Sequence, residues 1–313
     1  MKKLQWLAPI AGIILVACST VSMTGRKQLN LVSESEILSA SLTEYQNYMK
    51  TAKISTDANA TAVVKTVAER IAAAAEAYLQ VTGQEADIQN YAWEFNLTQD
   101  AELNAFCMPG GKIVVYQGML NLIGNGADRD DELAAVIGHE VGHAMAKHGN
   151  ERASQQLLAS MGSSVVGVAV SGQSAQVQQA VATAYGLGAQ YGVLLPFSRK
   201  QELEADYIGI VLATIAGYDA DAAVTLWQKM EANSTSTTPQ FMSTHPSSSS
   251  RIQQLKKDIP SVKATYGGAA AAAGLTSPSS TTTTPSGTTT TKKSSGTTKS
   301  TTTTKKGTGY KIG

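Results

Sequence analysis

Ala134-Ala135-Val136-Ile137-Gly138-His139-Glu140-Val141-Gly142-His143-Ala144-Met145-Ala146-Lys147-His148 is an apolar, helix-favouring run that contains the spacing H-E-x-x-H. In a helix, residues four apart share a face, so His139 and His143 project side by side and can bind one zinc ion. Glu140 lies one residue along, near enough to such an ion to act on its water without being a ligand. The chain holds four histidines, at 139, 143, 148 and 245, and two of them fall on this motif. Imidazoles on an otherwise apolar face are costly to bury without a partner, which favours a metal site over a plain core helix.

A catalytic zinc needs a third protein ligand and an open position. The metzincin spacing would put a Gly three residues and a His six residues past His143. Those positions hold Ala146 and Gly149, so that route fails. His148 falls one place short and on a different face, where an orienting or surface role suits it better than ligation. The remaining candidates are acids in Glu202-Leu203-Glu204-Ala205-Asp206. On a helix Glu202 and Asp206 share a face while Glu204 points away. Glu202 can then bind the metal and Asp206 can orient a ligand histidine. Without the H-E-x-x-H helix, a charged solvent face would be the default reading of these acids.

Both ends of the 313-residue chain read as something other than fold. Lys2-Lys3, an apolar run from Leu4 to Leu15, and Leu15-Val16-Ala17-Cys18 form a secretory signal. Its end matches the bacterial lipoprotein pattern, in which the Cys, here Cys18, receives lipid and becomes the new N-terminus. The run is too short to span a bilayer. Ser19, not Asp, follows, as in lipoproteins sorted to the outer membrane of a Gram-negative cell. With Cys18 lipidated, Cys107 is the one remaining thiol, so no intrachain disulfide is available. From Ser277 the chain is nearly all Ser, Thr, Lys, Gly and Pro and is expected to be disordered. Removing the six lysines of this tail and the two of the signal from the chain's net charge of +1 leaves a body near −7. A mildly acidic body with a basic tail argues against nucleic acid as ligand.

Between the ends, Ser19 to Asn30 reads as a polar connector. Ser33 and Glu36 have capping-box spacing and start a helix to about Lys50. A second helix is expected from Asp57 to Val81, with Val63, Val67, Ile71, Ala74 and Tyr78 recurring at three and four. Trp93, Phe95 and Leu97 alternate with polar residues as in a half-buried strand. Leu103 to Tyr116 reads as two strands joined by Pro109-Gly110-Gly111, and Gly118 to Ile123 as a short helix. Asp128, Asp130 and Asp131 offer caps to the motif helix, which should run to His148 and stop at Gly149-Asn150. Glu151 to Leu195 should give two helices packed on the body, with a weakly apolar face that could meet the membrane or a second copy, a homo-oligomer. Further helices are expected over Phe197–Leu212, Ala220–Glu231 and Arg251–Lys257. The expected class is α+β, mainly helical, with a small sheet beside the motif helix. The expected units are a signal over 1–17, a tether over 18–32, a body over 33–262 and a tail over 263–313.

His139-Glu140-Val141-Gly142-His143 followed by Ser198-Arg199-Lys200-Gln201-Glu202-Leu203-Glu204-Ala205-Asp206 resembles the gluzincin metallopeptidases that include HtpX, the CAAX prenyl proteases, BepA and LoiP. The family pattern is H-E-x-x-H, then S-R-x-x-E-x-x-A-D. Asn104-Ala105-Phe106 with the Pro109-Gly110-Gly111 turn is similar to its strand beside the active site. Thr244-His245-Pro246 with Arg251 is similar to its C-terminal H-P-x-x-x-x-R element. The resemblance covers about Leu29 to Lys257. The transmembrane helices of HtpX and the prenyl proteases are absent, which points to the soluble lipoprotein branch, and the tetratricopeptide repeats of BepA are replaced by the Ser/Thr/Lys tail.

The resemblance implies a zincin-like peptidase body with one zinc per chain, held by His139, His143 and Glu202. Asp206 and Arg251 stand behind these ligands, and Glu140 serves as proton acceptor. It also implies polypeptide substrates, above all misfolded envelope proteins. Such a substrate could be taken up as an added strand on Asn104, Ala105 and Phe106 or on Val114 and Val115. His245, by default a solvated loop residue, could approach the metal. There it would either stabilise the developing oxyanion or fill the open position and keep the enzyme latent. Replacing it lowers activity in the first case and raises it in the second. A different class of function, a membrane-tethered chaperone or assembly factor with a latent protease site, is separated from the peptidase by Glu140→Gln.

Overall fold

A computed structural model describes residues 18–161, 174–185, 198–233, 241, 244–245, 249–269 and 274. The expected signal over 1–17 and nearly all of the Ser/Thr/Lys tail lie outside the described residues. The first elements correct the reading of Ser19 to Asn30 as a free connector. Strands β1 (Cys18–Thr20) and β2 (Lys27–Leu29) pair antiparallel. Val21, just after β1, is buried in the main core, and Gln28 is buried as well. The polar composition concealed this because the partners of the hairpin's Arg26, Glu151 and Glu204, lie 125 and 178 residues away.

Helix α1 (Glu34–Met49) opens with the expected capping box: Ser33 Oγ accepts from the Glu36 backbone N–H, and Glu36 accepts from that of Ser33. Asp57 caps α2 (Ala58–Val81), whose buried stripe runs through Val64, Val67, Ile71, Ala74 and Ala75. A single turn, α3 (Glu85–Ile88), leads to β3 (Glu94–Thr98), β4 (Ala105–Met108) and β5 (Lys112–Tyr116). The Pro109-Gly110-Gly111 turn joins β4 to β5 with both glycines at positive φ, 89° and 78°. Strand β3 runs parallel to β5, so the order is β3-β5-β4 with β5 in the middle. Helix α4 (Gln117–Ile123) follows.

The motif helix, α5 (Arg129–Met145), departs from expectation at both ends. Asp128 is its N-cap but makes no side-chain cap bond. Asp131 accepts from the Asp219 backbone N–H instead, and Glu132 is buried in an ion pair with Lys229. The helix stops at Met145, not His148, and Gly149-Asn150 lie inside the next helix, α6 (His148–Met161). The break is at Lys147, which takes φ 55°. That conformation is strained for a side-chain-bearing residue, and a 2.9 Å ion pair to Glu34 anchors the side chain that adopts it. The turn swings His148 back toward α5. Helices α6 and α7 (Ser174–Tyr185) form, with α1, a second small core of Val32, Ile37, Ala40, Ala153, Leu157, Val177, Ala180 and Val181.

Ser198 and Gln201 form a second capping box at the start of α8 (Arg199–Ile215). Helix α9 (Ala222–Asn233) and α10 (Ser249–Tyr266) complete the body. The last helix is longer than Arg251–Lys257 and crosses the expected boundary at 262. Ile252, Leu255, Ile259 and Val262 recur on its buried face, and this packing outweighs the N–H lost at Pro260. Helices α5 and α8 cross at glycines: a Cβ on Gly138 would meet Gly209 O at 2.8 Å, and one on Gly142 would meet Ala205 O at 2.8 Å. Without side chains at these points the two backbones approach closely, and that approach brings Glu202 to the histidine pair. The result is a mainly helical α+β, zincin-like body. Among the described residues no helix is long and apolar enough to cross a membrane.

Candidate metal centre

His139 and His143 on α5, Glu202 on the first turn of α8 and His245 from the loop before α10 converge in the interior. One ligand atom from each lies within 4.8 Å of all the others, and all four residues are buried. His139 Nε2 is 3.1 Å from His143 Nε2 and 3.4 Å from His245 Nδ1. Glu202 Oε1 is 3.2 Å from His245 Nδ1 and 3.4 Å from His143 Nε2.

The surrounding hydrogen bonds dictate which imidazole nitrogens carry protons. His139 Nδ1 lies 2.9 Å from Asp206 Oδ1 and donates to it, leaving Nε2 as a lone pair. Arg251 approaches the same nitrogen at 3.4 Å, but the shorter contact with the carboxylate decides the tautomer. His148 Nε2 is 2.8 Å from Glu204 Oε2, and His148 Nδ1 is 2.8 Å from His143 Nδ1. Burial pushes the His148 pKa down, favouring the neutral ring, against the hydrogen bond that it donates to Glu204. With its one proton on Nε2, toward Glu204, His148 must accept at Nδ1 from His143, so His143 also turns a bare Nε2 inward.

Two lone pairs thus face each other across 3.1 Å beside a carboxylate. Such an arrangement is repulsive unless a cation lies between them, and neutral imidazoles with a carboxylate are the donors zinc prefers. The residues fit the metal.

Around this centre the charges are paired. Arg251 Nη1 is 2.5 Å from Glu202 Oε2, and its Nε and Nη2 grip Asp206 at 2.7 and 2.6 Å. Its guanidinium lies 3.6 Å from the Trp227 ring centroid. Burial pushes the Glu202 carboxyl up, but His245, Arg251 and the hydrogen bonds outweigh it and hold it well below the usual carboxylate range. Asp206 is likewise lowered, with burial opposed by Arg251 and His139. For Glu140 burial wins, and its carboxyl is raised despite His245, His139 and a hydrogen bond from the Cys107 backbone N–H. Glu140 Oε1 is buried, has no hydrogen-bond partner among the described residues and lies 3.7 Å from His245 Nε2.

The structure therefore brings together His139, Glu140, His143, Glu202, Asp206, His245 and Arg251. Of the two roles open to His148, its full burial against His143 fits the orienting one and not the surface one, and Glu204 points away from the donors, as expected, but into the protein. Sequence reasoning missed the pairing of His148 with Glu204, because it depends on the left-handed turn at Lys147, which no local pattern announced. Val114 and Val115 lie on β5, whose two edges are both occupied, so no strand can add there. Ala105 and Phe106, with Asn104 just before them, belong to β4, which among the described residues has β5 as its one strand partner; the Cys107 N–H bound to Glu140 puts its other edge beside the centre, where the Ala105 N–H is held by Asn104 Oδ1. Cys18 is exposed.

A helical zincin-like body carrying an H-E-x-x-H helix and a distant glutamate defines a metallopeptidase of the gluzincin class. The model of peptidase family M48 matches residues 60–259. Mitochondrial metalloendopeptidase OMA1 of Schizosaccharomyces pombe is 36% identical over 175 residues, 55% of this chain and 48% of the relative. Human mitochondrial metalloendopeptidase OMA1 is 30% identical over 263 residues, 81% of this chain and 46% of the relative. The beta-barrel assembly-enhancing protease of Escherichia coli is 29% identical over 173 residues, 52% of this chain and 34% of the relative. The chain spans about half or less of the length of these relatives. It belongs to peptidase family M48.

Proposed function

We propose that the chain is a zinc-dependent endopeptidase of the bacterial cell envelope that removes misfolded or unassembled envelope proteins. The observation that carries this reading is the convergence of His139 Nε2 and His143 Nε2 at 3.1 Å, with Glu202 completing the set and Glu140 buried beside it. Zinc bound there supplies electrophilic activation of water and of a peptide carbonyl. The chain's own residues do the rest. Asp206 and the pair of His148 and Glu204 hold the two imidazoles in place. Glu140, anchored by the Cys107 N–H, takes a proton on its open Oε1 and returns it to the leaving amine. The edge of β4 away from β5 aligns an extended polypeptide along Asn104, Ala105 and Phe106, displacing the Asn104 side chain from the Ala105 N–H. The envelope location rests on Leu15-Val16-Ala17-Cys18 and on the exposure of Cys18, the proposed lipid-bearing residue. The name of the Escherichia coli relative supports a client class among barrel proteins under assembly.

Purified protein is expected to carry one zinc per chain and to cleave an unfolded polypeptide such as casein until a chelator removes the metal. Wild type that is folded yet binds no zinc would overturn the reading.

His245 decides whether the centre is open. Together with His139, His143 and Glu202 it makes a four-donor set, as in a closed site, whereas catalysis needs a free position. Its ring is stacked on Phe241 at 4.4 Å, which holds it over the centre. This supports the latent role, so His245→Ala should raise casein cleavage several-fold; a fall in rate with zinc retained would assign it to the oxyanion instead.

A further inference from the structure

Arg26, in the turn between β1 and β2, reaches the body through all three of its guanidinium nitrogens. Nε donates to Glu204 Oε2 at 2.6 Å, and Nη1 and Nη2 grip Glu151 at 3.0 and 2.9 Å. Nη2 also bonds Gln28 Oε1 at 3.1 Å, within the hairpin itself. Thr24 Oγ1 donates to Glu204 Oε1. Gln201 Nε2 donates to Glu151 at 2.7 Å, which fixes the far side of the same cluster. Both oxygens of Glu204 are therefore held from the N-terminal hairpin, and Oε2 is shared with His148 Nε2. From His148 one more hydrogen bond, 2.8 Å long, leads to His143 Nδ1. The path from Arg26 to the metal-facing nitrogen of His143 is continuous, buried from Glu204 onward and directional at each step.

We propose that the hairpin 18–29 is an integral part of the metal centre, in which Arg26 and Thr24 clamp Glu204 so that His148 presents His143 to the metal with Nε2 bare. Arg26 is then a positioning residue for metal affinity. The segment that starts at Cys18, the proposed membrane anchor, is tied to the ligand shell, and undocking it loosens the metal. The inference rests on the reading of His143 as a ligand. A hairpin merely stapled to the surface would need the grip on Glu151 alone; the additional contacts to Glu204 from two hairpin residues are what point inward.

The test measures zinc affinity by competition with a chromogenic chelator, together with ¹⁵N imidazole spectra of the zinc-free protein. Arg26→Ala is expected to weaken zinc binding about ten-fold, within the range seen when residues behind metal ligands are removed. His143 should drift from the Nδ1–H tautomer toward a mixture, and Arg26→Lys should recover part of both effects. Lys229→Ala, which breaks a separate ion pair with Glu132 and destabilises the body elsewhere, should leave zinc affinity and tautomer unchanged. Folded Arg26→Ala with wild-type affinity and an unshifted His143 overturns the proposal, as does an equal loss in Lys229→Ala. If Arg26→Ala does not fold, Thr24→Val carries the test: it deletes one hydroxyl donor, and wild-type affinity and tautomer in it also overturn the proposal. Failure of the ligand reading itself would look different, since His143→Ala would then keep zinc.

Discussion

Glu140→Gln is expected to lose about 10²–10⁴-fold in peptidase rate while retaining a full complement of zinc. Glutamine has nearly the same shape and keeps an amide oxygen to accept from the Cys107 N–H, but it cannot take a proton. Glu140 is not among the four convergent donors, so the metal should stay. Burial already disfavours its charged form, so the neutral amide costs no desolvation and the fold should be at least as stable as wild type. Metal analysis, thermal melting and casein cleavage on the same preparation read all three outcomes. Undiminished cleavage would remove Glu140 from the chemistry. Lost zinc would make it a ligand and require a different site. Wild type that binds zinc but cleaves no polypeptide in any assay would favour a chaperone with a latent site.

Arg251→Ala is expected to cost about 3–5 kcal/mol in unfolding free energy of the zinc-free protein, because it leaves the buried Glu202 and Asp206 with imidazole contacts but without their guanidinium counter-charge. Arg251 makes three close contacts to these two carboxylates and lies on the Trp227 ring. Denaturant unfolding in the presence of a chelator measures the loss, and a change below 1 kcal/mol would show that the carboxylates find other partners. The sign of the pH dependence follows from the same groups. Both have folded-state pKa values below their unfolded ones. Their stabilisation is present above the ordinary carboxylate pKa of about 4 and is lost as pH falls through the lowered folded values. Arg251→Ala removes a main cause of that lowering, so its stability should depend less steeply on acid.

The legible parts of this chain were those governed by neighbours in sequence. The capping box at Ser33 and Glu36, the helix start at Asp57, the turn at Gly110-Gly111 and the helical face shared by His139 and His143 are local geometry, and each stands where the sequence pattern placed it. Glu202 and Asp206 shared a face for the same reason. The illegible parts were set by partners far along the chain. Arg26 looked like a polar residue in a linker until the body supplied Glu151 and Glu204. The last helix was expected to end near Lys257, and it runs on through Pro260 because Ile259 and Val262 pack into the core. Lys147 looked like a helical lysine, although the chain bends there.

The amino-acid sequence by itself determined the chemistry, because a metal centre needs particular donor types at particular helical spacings, and H-E-x-x-H with a distant E-x-x-A-D supplies both. Tertiary structure alone decided the state of that centre. Which nitrogen each imidazole offers, whether His245 covers the free position and whether the N-terminal hairpin belongs to the site depend on the contacts of His148 with Glu204, His245 with Glu202 and Arg26 with Glu204, which lie 56, 43 and 178 positions apart. Periodicity carries no information at that range, since the close crossing of α5 and α8 and the turn at Lys147 exist only once the core has packed.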